Sequence, residues 1–467
     1  MLFHSLPFVL VFLPLCLVSV GFVRRWGGVS AALGVLTAAS LVFYAWWNPI
    51  HLPLLVGSIL ANRALGARIF ADARWFVPSV VANLALLGWF KYAGLFLGVD
   101  DPPALPLAIS FFTFQQIMFL ATCRDRPPPR WLPYAAFVAF FPHLIAGPLV
   151  RPADIVPQLA KLQPLRRSNI LAGLELFLLG LAKKLVLADM FGPFADVGFG
   201  AAERGETLTL LEAWAATLSY ALQIYFDFSG YSDMATGIAR MFGIGFPLNF
   251  DSPYKATDIS AFWRRWHITL GAFLRDHVYV PLGGNRLGLS RELGALMATM
   301  LLAGLWHGAA WRFVVWGGLH GAMLAAHRLW RRAGLSMPDP AGRAITLCCV
   351  CIAWVPFRAD STDAIWAMLR GLSGMNGIAL PTAVASAIPW FPASSVPVLR
   401  FLGDARTLSV PEVAVCLTLG WAIALLCPHA QALTERGRAW VLTGSFALTV
   451  RAAVFAPHVA PFLYFQF

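Results

Sequence analysis

The chain has 467 residues, of which 59% are hydrophobic and only 12% are charged, and its mean hydropathy is +0.69. A soluble domain carries about 25% charged residues, so this composition excludes a soluble globular protein. The net charge of +12 does not indicate nucleic-acid binding here, because basic residues collect in cytoplasmic loops and near anionic membrane lipids. We therefore predict an all-α polytopic membrane protein, since a helix satisfies its own backbone hydrogen bonds in lipid.

Neither the cysteines nor the N-terminus indicates an exported or metal-binding protein. The seven cysteines lie mostly inside apolar runs, and none forms a C-x-x-C pair. We expect them to pack as small hydrophobic side chains and to hold no metal. The N-terminus lacks a basic n-region and a clear A-x-A cleavage site, so residues 7–23 are predicted to be a retained spanning helix.

Apolar runs alternate with loops of different charge along the first part of the chain. These runs cover residues 8–23, 31–47, 52–60, 76–97 and 105–121. Basic clusters follow the first, third and fifth runs, whereas neutral or acidic residues follow the second and fourth. The positive-inside rule then places the basic clusters in the cytoplasm and the N-terminus outside.

The apolar run at residues 132–150 differs from the others because it contains the sequence FFPHLIAGP. Pro142, Gly147 and Pro148 lie too close together for an unbroken helix. We predict a broken or re-entrant segment that is buried in protein, where irregular backbone is tolerated at membrane depth.

Further spans complete a predicted bundle of roughly eleven to thirteen membrane segments, at about 20 residues for each full span. Outside the histidine-bearing segments below, they lie at residues 170–187, 210–226, 344–357, 411–426 and 440–455.

Two carboxylates, Asp227 and Asp233, stand at the end of the run at residues 210–226. Charged side chains inside membrane proteins are usually paired. We therefore expect these two to pair with Arg240 or with arginines further along the chain.

The stretch from residue 300 to residue 321 reads as two membrane-depth segments that carry one histidine each, His307 and His320. Each segment also has two glycines four residues apart, a spacing that lets helix backbones approach closely in a bilayer. Those glycines are Gly304, Gly308, Gly317 and Gly321. An ionisable side chain at this depth faces the bundle interior or a wet cavity, so each imidazole is either satisfied by a neighbouring helix or functional.

A second histidine-bearing stretch, DISAFWRRWHITLGAFLRD, covers residues 258–276. Its apolar residues recur with the spacing of an amphipathic helix, which Asp258 is placed to cap. Arg264 and Arg265 fall on the polar side, and His267 lies at the edge of the apolar face. The stretch carries too much charge to span the membrane, so we predict an interfacial helix. Its arginines suit either lipid headgroups or a phosphorylated, coenzyme-type donor.

Two histidines, one near an interface and one inside the bundle, suit acyl transfer. A neutral imidazole can take a proton from a thiol or a hydroxyl near neutral pH. A cavity lined by glycine and tryptophan can admit a small acyl group while it limits the access of water. The sequence alone leaves open whether His267 and His307 meet.

Several stretches together carry a recognisable pattern, which is strongest between residues 105 and 327. They are residues 109–116 (ISFFTFQQ), 140–159, 221–250, 262–286 (FWRRWHITLGAFLRDHVYVPLGGNR), 301–321 (LLAGLWHGAAWRFVVWGGLHG) and 462–467 (FLYFQF). In combination they resemble the membrane-bound O-acyltransferase family, in the branch of the bacterial alginate O-acetyltransferase membrane subunits.

The resemblance implies a single transmembrane domain over residues 1–467, in which membrane helices and re-entrant segments surround a central tunnel. The active-site histidine of the family falls on His307, and its accessory polar position falls on His267. His320 is assigned to packing. The predicted donor-binding residues are Arg264, Arg265 and Trp263.

The resemblance also implies a function in the bacterial inner membrane. An acetyl group from cytoplasmic acetyl-CoA passes outward, with no metal involved, and a periplasmic acyltransferase of the SGNH type places it on a hydroxyl of an exported, alginate-like polysaccharide. Two alternatives stay open. One is D-alanyl transfer to a cell-wall polymer, and the other is a transporter or flippase without acyl-transfer chemistry, which the broken segment near Pro142 suggests.

Overall fold

The computed structural model describes residues 1–99, 104–145, 147–379 and 410–436, together with Leu463. Within these residues the chain is helical and contains no β-strand. Two compact units are each assembled from separate stretches of the chain. The first comprises the described residues of Met1–Leu181, Gly230–Asn249 and Ala430–Phe446, and the second comprises those of Ala182–Ser229, Phe250–His429 and Ala447–Phe467. The single domain expected from the sequence stays a prediction.

Five helical stretches of the described residues are long and apolar enough to cross a membrane. They are Phe8–Trp26, Gly28–Ala45, Pro49–Ala71, Ala73–Leu97 and Asp339–Arg358. Two shorter apolar helices cover Ile109–Thr122 and Glu412–Leu426. These helices confirm the all-α, multi-pass prediction. Other predicted spans fall on helices that carry more polar residues, and the run at residues 440–455 lies outside the described part.

The helices of the first unit follow one another with short connections. A π-helical turn, Phe8–Phe12, leads into α1 (Leu13–Trp26), α2 (Gly28–Ala45), α3 (Leu52–Ala71), α4 (Phe76–Leu97), α5 (Ile109–Thr122), α6 (Trp131–Ala139), α7 (Phe141–Leu144), α8 (Pro152–Ala160) and α9 (Arg167–Ala182), and Ala430–Arg436 returns to this unit. Short 3₁₀ turns at Pro49–His51 and Ala73–Trp75 precede α3 and α4. Every residue of α5 from Ile109 to Leu120 is buried, so this helix lies at the centre of the unit.

Polar side chains join the apolar helices of the first unit. Asn62 and Asn83 form a reciprocal pair, in which Asn62 Nδ2 donates to Asn83 Oδ1 at 3.1 Å and Asn83 Nδ2 donates to Asn62 Oδ1 at 2.7 Å. Gln116 Nε2 donates to Ser58 Oγ at 3.3 Å, and the Tyr134 hydroxyl donates to Gln116. Such bonds hold membrane helices together where no hydrophobic driving force exists between them.

The helix is broken within the segment FFPHLIAGP, and the described residues of this segment are buried, as predicted. Helix α6 ends at Ala139, and α7 is a single turn that begins two residues later, at Phe141. The backbone amide at the break is satisfied, because Phe141 N donates to Ser40 Oγ at 3.3 Å. His143 is fully buried, and its Nδ1 lies 2.7 Å from Gln115 Nε2.

The second unit contains the two histidine-bearing stretches. Its helices are a π-helical turn at Lys183–Ala188, α10 (Asp189–Glu203), the part of α11 (Leu210–Met241) before Gly230, α12 (Ile259–Trp263), α13 (Ile268–Leu274), a π-helical turn at Arg275–Tyr279, α14 (Leu289–His307), α15 (Trp311–Arg332), α16 (Asp339–Arg358), α17 (Thr362–Leu372) and Val410–Leu426, with a 3₁₀ turn at Pro253–Lys255. Helices α14 and α15 form a hairpin, since only Gly308–Ala310 separates them.

Glycines allow α14 and α15 to approach closely, which confirms the prediction from their spacing. A Cβ atom added at Gly304 would lie 2.1 Å from the carbonyl oxygen of Phe313. A Cβ atom at Gly317 would lie 2.2 Å from the carbonyl oxygen of Met300. Both obstacles are backbone atoms, so no side-chain rotation relieves them.

Gly304→Ala and Gly317→Ala are therefore expected to separate the two helices and to lower the free energy of unfolding by about 1–3 kcal/mol each, the usual range for overpacking. The matched control is Gly294→Ala. Gly294 lies on α14 like Gly304, and a Cβ added there meets nothing within 4 Å. Thermal unfolding in detergent measures all three variants. Equal melting temperatures for Gly304→Ala and Gly294→Ala would contradict the close approach.

Candidate active site

His307 is the last residue of α14, and the helix ends there because Gly308 is extended, with φ −168°. The side chain is 5% exposed. Three aromatic rings surround its imidazole. The ring centroids of Trp306, Trp316 and Phe357 lie 4.8, 4.9 and 5.1 Å from that of His307. The imidazole therefore lies in an aromatic enclosure inside the second unit.

The helix predicted across residues 258–276 is interrupted at His267, so the prediction of one continuous helix was wrong. Asp258 caps α12 as expected, since its Oδ1 accepts from the backbone N–H of Ala261 at 2.7 Å. After α12 the chain turns, and His267 adopts a left-handed conformation with φ +42° before α13 begins. The turn buries the imidazole, which is 1% exposed. A residue other than glycine in this conformation is strained, and such strain is concentrated at functional sites.

The structure brings His267 and His307 to the same tryptophan. The ring of Trp306 lies 6.0 Å from that of His267 and 4.8 Å from that of His307. Phe228 and Phe250 cover other sides of His267, at 4.7 and 6.3 Å. Residues far apart in the sequence thus form one buried group of aromatic rings within the second unit.

His320 belongs to the same group. It is 0% exposed, and its Nδ1 accepts a hydrogen bond from Trp263 Nε1 at 3.3 Å. Its ring lies 4.8 Å from that of Trp316, which also contacts His307. We call the connected residues the histidine–tryptophan cluster; they are His267, Trp306, His307, Trp316 and His320.

The chemistry of this cluster is that of buried imidazoles. A neutral imidazole both accepts and donates a proton near neutral pH, which suits general acid–base catalysis. Aromatic walls exclude water and so strengthen the electrostatic interactions inside. Among the residues that the structure describes, no group of three or more His, Cys, Asp and Glu side chains is placed to hold a metal ion.

The two arginines proposed to bind the donor, Arg264 and Arg265, directly follow Trp263 in the chain. Trp263 in turn contacts the cluster through its hydrogen bond to His320. Arg264 is exposed, and its guanidinium donates to Ser260 Oγ at 2.6 Å. Arg265 is half-buried and forms an ion pair with Asp251, at 3.3 Å between Nη1 and Oδ2. Arg264 thus presents its charge outward from α12, whereas Arg265 is already paired. Their role in donor binding stays a prediction.

A buried ionic group joins three residues that the sequence did not connect. Lys184 Nζ lies 2.8 Å from Asp227 Oδ1 and 2.8 Å from Asp189 Oδ1. Asp227 Oδ2 also accepts the backbone N–H of Leu463 at 3.0 Å. The expectation that an arginine pairs with Asp227 was wrong. The signal that could have found this group is the lysine pair Lys183-Lys184 inside an apolar run, five residues before Asp189.

Comparison with known proteins decides the family. The sequence model of the family described as MBOAT, membrane-bound O-acyltransferase, matches residues 80–354, more than half of the chain, and this match includes the whole histidine–tryptophan cluster. The chain belongs to the membrane-bound O-acyltransferase family. This confirms the resemblance, and the protein is an acyltransferase.

The relatives of this acyltransferase include three differently named kinds of enzyme. A peptidoglycan O-acetyltransferase of Helicobacter pylori is 42% identical over 394 residues, which cover 74% of each chain. A probable alginate O-acetylase AlgI of Azotobacter vinelandii is 40% identical over 403 residues, which cover 80% of this chain and 78% of the relative. A teichoic acid D-alanyltransferase of Bacillus subtilis is 26% identical over 300 residues, 60% of this chain and 73% of the relative.

Family membership settles the choice between an enzyme and a transporter. The alternative of a transporter or flippase rested on the broken segment at residues 140–148, which instead belongs to the folded core of an acyltransferase. The family and the five long apolar helices make this a multi-pass membrane enzyme.

Proposed function

We propose that this acyltransferase takes an acetyl group from cytoplasmic acetyl-CoA and passes it across the bacterial inner membrane for O-acetylation of an exported polysaccharide. The observation that carries the proposal is the burial of His307 and His267 against the single ring of Trp306. The names of the relatives support the acetyl group, because the O-acetylating relatives above are at least 40% identical and the D-alanyltransferase is 26% identical. The names of the two O-acetylating relatives, which mention peptidoglycan and alginate, also support a glycan acceptor.

His307 acts as the general base. The acceptor at this step is a hydroxyl of the periplasmic partner that receives the acetyl group. The neutral imidazole of His307 takes the proton of this hydroxyl while the hydroxyl oxygen attacks the thioester carbonyl carbon. The new C–O bond forms, the C–S bond breaks, and the imidazolium returns the proton to the departing sulfur. His267, which lies against the same ring of Trp306, orients the donor or serves a second proton step. The surrounding rings of Trp316 and Phe357 exclude water, which would otherwise hydrolyse the thioester.

The donor approaches over α12. Arg264 is exposed beside Trp263, and a guanidinium binds phosphate in a bidentate manner. Arg265 contributes positive charge to the same surface although it is paired with Asp251. Together these residues suit the phosphates of a coenzyme A donor.

Arginine–tryptophan pairs in the first unit support the proposed orientation of the protein in the membrane. Arg25 lies over the ring of Trp26 at 5.6 Å, and Arg63 lies over Trp131 at 5.1 Å. Tryptophan favours the membrane–water interface and arginine favours the cytoplasmic side. These pairs support a cytoplasmic location for the end of α1 and a periplasmic N-terminus. A periplasmic SGNH-type acyltransferase then receives the acetyl group and places it on the polysaccharide.

The test of the donor compares two thioesters. Proteoliposomes that hold the protein and its periplasmic partner are given either radiolabelled acetyl-CoA or a radiolabelled D-alanyl carrier protein. Of the two donors, we expect only acetyl-CoA to label the partner and, through it, added polysaccharide. Labelling from the D-alanyl carrier but not from acetyl-CoA would replace this proposal with D-alanyl transfer.

A further inference from the structure

On helix α15, two residues of the histidine–tryptophan cluster each carry a buried N–H group with no hydrogen-bond acceptor among the described residues. The two groups are Trp316 Nε1 and His320 Nε2. Trp316 is 1% exposed and His320 is 0% exposed, so bulk water does not satisfy them. Buried polar groups are almost always hydrogen-bonded, and each exception calls for an explanation.

The hydrogen bond from Trp263 determines which ring nitrogen of His320 carries the proton. Because Trp263 Nε1 donates to His320 Nδ1 at 3.3 Å, that nitrogen carries a lone pair. The neutral imidazole therefore carries its proton on Nε2. Both unsatisfied groups are consequently donors, and what they lack is an acceptor.

The rings that carry the two donors lie next to each other, and the ring of Trp316 also lies next to the proposed base. Trp316 and His320 are four residues apart on α15, so they share one face of the helix. Their ring centroids are 4.8 Å apart, and the ring of Trp316 is 4.9 Å from that of His307. An acceptor bound by both donors would therefore lie within the same group of rings as the imidazole of His307.

We propose that Trp316 Nε1 and His320 Nε2 bind the carbonyl oxygen of the acyl group during transfer. This inference rests on the proposed function, since the ligand is a thioester donor. When the acceptor oxygen attacks the carbonyl carbon, a C–O bond forms and the carbonyl π electrons move onto the oxygen. The two N–H groups stabilise that negative charge. The electrons then return, the C–S bond breaks, and the sulfur takes the proton that His307 received from the acceptor.

Donors fixed by the fold are suited to this task, because they are aimed before the charge develops and cost no reorganisation during the reaction. Trp263 is a positioning residue here. Its indole N–H holds His320 in the tautomer that points a donor, and not a lone pair, toward the oxygen.

Two replacements of His320 distinguish between two roles of this side chain. One role is donation of a hydrogen bond from Nε2 to the acyl oxygen, and the other is acceptance of the Trp263 hydrogen bond by Nδ1. His320→Gln places an amide N–H near the position of Nε2, whereas His320→Asn places an acceptor oxygen near the position of Nδ1. We expect His320→Asn and Trp316→Phe to lower kcat by about 10²–10³-fold, as for other lost oxyanion donors. We expect His320→Gln to retain most of kcat, and KM for the acyl donor to change little in all three.

The measurement is steady-state acetyl transfer from acetyl-CoA, with thermal unfolding as the control for an intact fold. Retained activity in His320→Asn with loss in His320→Gln would show that only the bond to Trp263 matters, and would overturn the inference. So would an unchanged kcat in Trp316→Phe, which keeps an aromatic ring at that position. Failure of the wild-type protein to use acetyl-CoA would instead refute the proposed function, so the two failures are distinguishable.

Discussion

His307→Gln is expected to lower the rate of acyl transfer by about 10²–10⁴-fold, the usual contribution of a general base. Glutamine fills a similar volume and keeps hydrogen-bonding groups, but its amide does not accept a proton near neutral pH. Because the side chain is buried among Trp306, Trp316 and Phe357, water has little room to replace it as a base.

The matched control for this variant is His327→Gln. His327 lies on α15 outside the histidine–tryptophan cluster, and its side chain is 25% exposed, with Nε2 3.6 Å from Asp258 Oδ1. We expect it to retain transfer within the error of the assay. Initial rates with labelled donor, normalised to the amount of folded protein, measure both variants. Equal losses in the two would mean that His307 has no special role.

Lys184→Met is expected to lower the free energy of unfolding of the second unit by about 3–5 kcal/mol, because removal of one partner from a buried ion pair leaves an uncompensated charge. The side chain of Lys184 is 3% exposed and that of Asp227 is 1% exposed, so solvent screens their interaction little. The exposed lysine Lys161, replaced in Lys161→Met, is the control and should change stability little.

The double variant Lys184→Met/Asp227→Asn tests the cause of this loss. If the stranded carboxylate is responsible, neutralising it restores part of the stability, and the two changes are not additive. Thermal unfolding in detergent gives the four values of the cycle. Additive losses, or a stable Lys184→Met protein, would show that the pair at 2.8 Å contributes little.

Local chemistry made much of the fold predictable from the sequence. Pro142 and Pro148 predicted the break after α6, because proline removes a backbone donor and clashes within a helix. The paired glycines predicted the close approach of α14 and α15. The apolar runs predicted the long helices of the first unit. Each of these conclusions depends on residues that are near one another in the sequence.

The site was only partly predictable, because it is assembled by long-range contacts. Helical periodicity suggested one helix across residues 258–276, and tertiary packing overrode it by turning His267 inward at φ +42°. Nothing in the sequence around Trp306 and Trp316 indicated their role, and only the fold places Trp306 against both His267 and His307. The partner of Asp227 was missed for the same reason, since Lys184 lies 43 positions earlier in the chain.

The proposed transfer of an acetyl group through the membrane by means of His307 can be measured directly. Inverted membrane vesicles, which expose the cytoplasmic face, are incubated with acetyl-labelled acetyl-CoA, and label protected inside the lumen is counted. We expect lumenal label on polysaccharide or partner protein in the wild type and in His327→Ala, and loss of this label in His307→Ala and His267→Ala. Undiminished lumenal label in His307→Ala, at equal protein abundance, would contradict this proposal.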